Sequence, residues 1–239
     1  MEPNAFETPN GTPVTAVTAT EMEAVDRTAT ESVQLALFSM MENAGRNLAK
    51  VVRRRRDAHP VVVLAGAGGN GGGGLVCARH LANRGCQVAV SLDRSPEELS
   101  GIVEQQYHVL EAMGVPVREL STTTVTDDVI AVDALVGYGL SDPLRGGAER
   151  LAKATDSAAT VVSLDLPSGI DATTGERPGT AVDADVTLTL ALPKTGLGPN
   201  AGRLLLGDIA VPSAVYDTLE IPYTNPFDAY VVPIRRRCE

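Results

Sequence analysis

Tryptophan is absent from these 239 residues, phenylalanine occurs three times and tyrosine five. So few rings exclude the stacking platforms on which single-stranded nucleic-acid binders lay bases. Cysteine is equally sparse. Cys77, Cys86 and Cys238 form an odd set without a Cys-x-x-Cys pair, so neither a disulfide framework nor a cysteine metal site is encoded. His59, His80 and His108 make no His-Glu-x-x-His pattern. Lysine appears only at 50, 153 and 194, and 20 basic residues face 30 acidic ones, for a net charge of −10. An acidic chain lacks the basic face that a phosphate backbone demands, so no nucleic-acid partner is expected. No apolar run approaches about 18 residues, which removes a transmembrane helix. The first residues lack the basic and apolar regions of a secretory signal. A soluble cytoplasmic protein is the expectation.

What is present is an ordinary globular mixture, 44% apolar and 21% charged. Residues 1–14, rich in Pro, Gly and small polar residues, read as a disordered arm, residues 15–234 as one domain, and 235–239 as a solvated tail. Thr18 or Thr20 is placed to cap a helix, and the pattern from Glu21 to Arg56 predicts two helices broken near Thr28–Ser32. Met40, Met41, Ala44, Leu48 and Val52 recur on one face, and Arg53–Arg56 complement the helix C-terminus. Short apolar runs at 61–65, 87–92, 115–118, 129–133, 161–165 and 186–192 predict strands. Helices are expected over 75–84, 96–113 and 142–154 between them. Alternation of this kind predicts an α/β fold: a three-layer αβα sandwich, Rossmann-like, with a doubly wound, mostly parallel sheet and extra N-terminal helices.

The segment Gly66 to Gly74 joins the first strand to its helix. Glycines there allow a tight turn and close approach of a phosphate to backbone N–H groups. Gly66, Gly68 and Gly71 satisfy G-x-G-x-x-G, and Asp93 follows the next strand at the ribose-binding distance of a dinucleotide fold. An NAD-dependent dehydrogenase is thus one reading, although nothing further along resembles a hydride-transfer partner. Asn70, Asp133, Asp165 and Ser168 all fall at predicted strand ends, where open α/β sheets bind ligands. Amide, carboxylate and hydroxyl oxygens suit a hard alkali or alkaline-earth cation, not zinc. No motif supplies a histidine to activate Ser168 as a nucleophile.

At these residues the chain resembles the YjeF N-terminal domain family, whose enzymatic members are NAD(P)HX epimerases. The resemblance rests on five ordered segments: Met40–Arg46 (MENAGR), Gly66–Leu81, Val132–Leu140, Val162–Gly175 and Ala191–Gly196. It implies epimerisation of hydrated NADH or NADPH at C6. Substrate would lie on Gly69, Asn70, Gly71, Gly72 and Gly73, on Gly137, Tyr138, Gly139, Leu140, Ser141, Asp142 and Pro143, and on Asp165. One potassium ion per subunit would be held by Asn70, Asp133 and Ser168. Within that frame Asp165 is the candidate acid/base, and Lys194 a candidate contact to phosphate or carboxamide. The resemblance also implies a homodimer and a separate NAD(P)HX dehydratase, for which 239 residues leave no room. Gly69 and Gly73 replace an Asn and an Asp of the family loop, and Tyr138 a frequent Thr. The Gly73 change keeps open a catalytically silent nucleotide- or protein-binding module of the same fold.

Overall fold

The computed structural model describes residues 5–55, 59–119, 125–140 and 142–237. Ser141 and Cys238 lie outside them. The chain opens with two short strands, β1 (Phe6–Glu7) and β2 (Pro13–Val14), then α1 (Ala19–Arg27), a π-helical turn at Thr28–Ser32 and α2 (Leu37–Arg53). Thr18 is the cap that starts α1: its hydroxyl accepts from the Glu21 N–H at 3.2 Å, and Glu21 accepts from the Thr18 N–H at 2.7 Å. The alternating region follows as β3 (Val61–Ala65), α3 (Gly69–Ala82), β4 (Val88–Leu92), α4 (Gly101–Ala112), β5 (Val117–Glu119) and β6 (Ile130–Ala134). It continues as α5 (Gly146–Ala154), β7 (Thr160–Leu164), β8 (Val186–Leu190), β9 (Arg203–Gly207), α6 (Ser213–Thr218), β10 (Val231–Pro233) and β11 (Arg235–Arg236).

Eight strands form one sheet in the order β10-β9-β8-β7-β6-β3-β4-β5, parallel except for β10. Apolar residues dominate β3, β6 and β7, and these strands are buried along nearly their whole length because both faces are covered by helices. The order reverses between β3 and β6, so the crevice at their carboxyl ends is the topological switch point.

Three expectations need correction. Residues 5–14 are not a disordered arm: β1 pairs with β2 and with β11, and Phe6 is fully buried. Turn-forming composition made the segment look unstructured, yet one buried ring and a hydrogen-bond ladder order it. The tail residues Arg235 and Arg236 likewise belong to this ladder. Finally, α3 begins at Gly69, six residues before the expected Leu75. Glycine is a poor helix former, but Gly71 to Gly74 are packed too closely for side chains. A Cβ on Gly74 would sit 2.6 Å from that of Ala134, and one on Gly71 would overlap the Gly66 carbonyl.

Candidate functional site

The MENAGR segment lies on α2 and holds α3 in place. Glu42 pairs with Arg79 and with His80 (2.8 Å) on α3. Gly45 lets the helices approach so closely that a Cβ would lie 2.5 Å from Val76. Asn47 donates to the Asp208 carbonyl at 2.8 Å. These contacts fix the position of the glycine-rich start of α3, while Met40, Met41 and Ala44 of the same segment line the cavity beside it.

That start faces a cavity of about 490 Å³ at the carboxyl ends of β3, β4, β6, β7 and β8. Gly69, Asn70 and Gly73 line it, as do Gly137, Tyr138, Gly139, Asp165 and Lys194. Gly71 and Gly72 do not; they are turned into packing against Gly66 and Met41. Leu140 packs with the cluster around Leu144 and Leu151, and Pro143 lies against Gly179. Neither these two nor Asp142 lines the cavity. Met22, Met40, Met41, Leu164 and Ile209 give it an apolar wall.

Asp165 and Lys194 form the charged centre, with side chains 5% and 1% exposed. Lys194 Nζ donates to Asp165 Oδ1 and to the Leu190 carbonyl (3.0 Å). The Leu190 N–H reaches Oδ1 at 3.3 Å, and the Tyr138 N–H reaches Oδ2 at 3.2 Å. Asp165 has φ +69°, a left-handed conformation that only Gly, Asn and Asp adopt readily. The sharp turn after β7 thus swings its carboxylate into the cavity, with Oδ2 beside Gly137.

Asp133 and Ser168 lie beneath this floor and do not line the cavity. Asp133 is fully buried and accepts four hydrogen bonds: Ser168 Oγ (2.6 Å), Ser168 N–H (2.9 Å), Ser163 Oγ (2.8 Å) and Leu135 N–H (3.3 Å). Burial pushes its carboxyl above the usual range, against the pull of those donors. The Val136 N–H in turn donates to Ser168 Oγ at 2.9 Å, so this cluster sets the path of the 136–139 loop.

Asp26 on α1 is a cavity residue that the sequence reading missed. Its Oδ2 accepts from the Tyr138 hydroxyl at 2.5 Å, tying α1 to the loop that also holds Asp165. The signal was present: Met22, Val25, Asp26 and Ala29 share one helical face, and the other three are buried. Burial raises the Asp26 carboxyl pKa, outweighing the Tyr138 bond and the nearby Lys194. Because folding favours the protonated form, its contribution to stability is present below about pH 4 and is lost as pH rises through the raised value. Asp26→Asn keeps an acceptor for Tyr138 and removes the charge. Its Tm is expected to exceed that of the wild type at pH 7 to 8, with the gap closing toward pH 4 in thermal melts.

No group of three His, Cys, Asp or Glu side chains able to hold a metal is found among the described residues. No helix among them is long and apolar enough to cross a membrane. Comparison with known proteins agrees with the geometry. The family described as YjeF-related protein N-terminus matches residues 37–196. A curated protein of Dehalogenimonas lykanthroporepellens named NAD(P)H-hydrate epimerase is 42% identical over 94% of this chain and 94% of its own. One from Rhodopirellula baltica with the same name is 35% identical over 82% of both. A bifunctional NAD(P)H-hydrate repair enzyme of Thermofilum pendens is 38% identical over 90% of this chain, which spans 44% of that longer protein. The crystal structure of yeast ynu0 superposes with a TM-score of 0.79 at 25% identity, over 92% of this chain and 100% of the yeast one. With the match spanning both helices of the clamp and every strand that borders the cavity, this chain belongs to the YjeF-related protein N-terminus family.

Proposed function

We propose that the chain interconverts the R and S epimers of hydrated NADH and NADPH at C6 of the nicotinamide ring. The observation that carries this is the buried Asp165–Lys194 pair, opening into a cavity floored by the start of α3. Relatives named NAD(P)H-hydrate epimerase over nearly their full length support the same reading. Inversion at C6 requires a bond there to break and re-form on the other face. The C6 hydroxyl leaves as water once protonated, the ring nitrogen shares the resulting charge, and water returns to the opposite face as it gives up a proton. Asp165 Oδ2 is the group placed to carry that proton, since Oδ1 is held by Lys194 and the Leu190 N–H whereas Oδ2 takes one hydrogen bond, from the Tyr138 N–H at 3.2 Å. Lys194 fixes the carboxylate and presents a cation to the cavity wall. The apolar methionine wall excludes water from the ring face.

The residues present fit a potassium ion. Ser168 Oγ, the Asp133 carboxylate and the Val136 carbonyl converge in one hydrogen-bonded cluster, all hard oxygens. Asn70 Nδ2 is buried without a partner, and the carboxamide turned over presents oxygen at that place. A bound cation would supply fixed positive charge beneath the loop that receives the substrate. If it binds the folded state alone, at 100 times its Kd it adds about 2.7 kcal/mol of stability. A melt in potassium is therefore expected to run several degrees above one in tetramethylammonium, and Asn70→Leu is expected to shrink that difference.

The test of the reaction is direct. Purified protein is given a single NADHX epimer, and the appearance of the other is followed by chromatography with and without potassium. Acceleration over the spontaneous rate is expected. None at any potassium concentration would leave the silent binding module, to which the missing carboxylate at Gly73 points. We further propose a cytoplasmic homodimer working beside a separate NAD(P)HX dehydratase, in keeping with the bifunctional relatives.

A further inference from the structure

The cavity has a second charged end, across the sheet from Asp165. Asp93 stands immediately past β4, and its backbone is pinned: its N–H donates to the Ala65 carbonyl at 3.0 Å, and Gly147 packs against its own carbonyl so closely that a Cβ there would overlap it. Its side chain is 8% exposed, and Arg94 grips it with a two-pronged bond, Nε to Oδ1 and Nη2 to Oδ2, each 3.0 Å. Arg94 itself is 45% exposed, and both residues line the same cavity as Asp165 and Lys194. Strands β7, β6, β3 and β4 are successive neighbours, so the two charged ends lie about 14 Å apart at the usual strand spacing. The glycine turn at 68–69 lies between them.

A dinucleotide whose nicotinamide meets Asp165 therefore lays its pyrophosphate over the start of α3 and its adenosine ribose at the end of β4. We propose that Asp93 reads this ribose and rejects a 2′-phosphate, so that NADHX is preferred over NADPHX. The inference rests on the epimerase reading of the cavity. Asp93 uses one lone pair of each oxygen on Arg94 and keeps the others for the ribose hydroxyls. A 2′-phosphate would bring close to two negative charges against a carboxylate whose backbone is pinned and whose two oxygens are held by Arg94. Arg94 offers it little compensation, because its charge is already committed to Asp93 and Glu98 lies nearby.

The experiment compares kcat/KM for NADHX and NADPHX in the wild type, Asp93→Asn and Arg94→Ala. Like-charge placement of this kind predicts a preference of about tenfold or more for NADHX in the wild type. Asp93→Asn is expected to bring the ratio to unity or below, since Arg94 is then free to meet the phosphate. Arg94→Ala is expected to raise the ratio above that of the wild type, because the carboxylate loses its counter-charge. Equal use of both substrates by the wild type, an unchanged ratio in Asp93→Asn, or a fall in Arg94→Ala would each overturn the proposal. Equilibrium binding of NAD+ and NADP+ to the same three proteins gives a readout independent of turnover. A protein that prefers NAD+ but does not interconvert epimers sinks the epimerase reading and keeps the role of Asp93. Interconversion without any preference does the reverse.

Discussion

Asp165→Asn is expected to slow epimer interconversion by about 10²–10⁴-fold, the usual weight of a positioned general acid or base. The substitution isolates the proton from the packing. Asparagine is among the few residues at ease with φ +69°, so the turn after β7 is preserved. Its amide oxygen still accepts from Lys194, whose ammonium is 1% exposed and needs an acceptor. Asp165→Ala does neither, and leaving that ammonium unpaired costs about 3–5 kcal/mol. A loss of activity in the alanine variant would thus report folding as much as chemistry. Single-turnover rates with one epimer, alongside a melt showing Asp165→Asn folded, make the measurement. Wild-type turnover in the asparagine variant would remove Asp165 from the reaction.

Gly71→Ala is expected to be the most damaging small substitution in the glycine segment. Helix propensity alone favours alanine by about 1 kcal/mol. Here the added methyl would overlap the carbonyl of Gly66, and neither group can escape by changing rotamer because the collision is with backbone. Overpacking of this kind typically costs about 1–3 kcal/mol and occasionally more, and a backbone clash belongs at the upper end. For a chain of this length that corresponds to a fall in Tm on the order of 10 °C. Gly69→Ala, two residues earlier, meets nothing within 4 Å and is expected to gain about 0.5–1 kcal/mol. Opposite shifts in paired melts would separate glycines kept for packing from those facing the cavity.

Much of the fold was legible because burial on both faces writes itself as valine and leucine. The runs at 61–65, 129–133 and 161–165 correspond to β3, β6 and β7 within one residue. What was not legible has local causes. The helix expected over 96–113 is interrupted where Gly101 takes φ +60°, leaving a short 3-10 turn before α4. The one expected from 142 starts only at Gly146, also at positive φ. Strand β9 is harder to read because Arg203–Gly207 opens on an arginine, ends on a glycine and follows a Gly- and Pro-rich loop. At the site, Asp165 and Asn70 could be found from their places at strand and loop ends. Asp26 carries its signal in the buried helical face that it shares with Met22, Val25 and Ala29, whereas Arg94 looks like an ordinary surface charge until β4 is brought to the cavity.

The wrapping of the N-terminal segment separates the span matched by the family model from the unit that folds. The family match begins at residue 37 and stops at 196, a tidy span for anyone choosing expression boundaries. Yet Val17 pairs with Lys194 through a parallel bridge, its N–H on the Pro193 carbonyl and its carbonyl taking the Thr195 N–H, both at 2.9 Å. Met22 and Asp26 close one side of the cavity, and Ile209 closes part of another. A fragment cut at those boundaries would carry all five signature segments and leave the loop bearing Lys194 without its bridge to Val17.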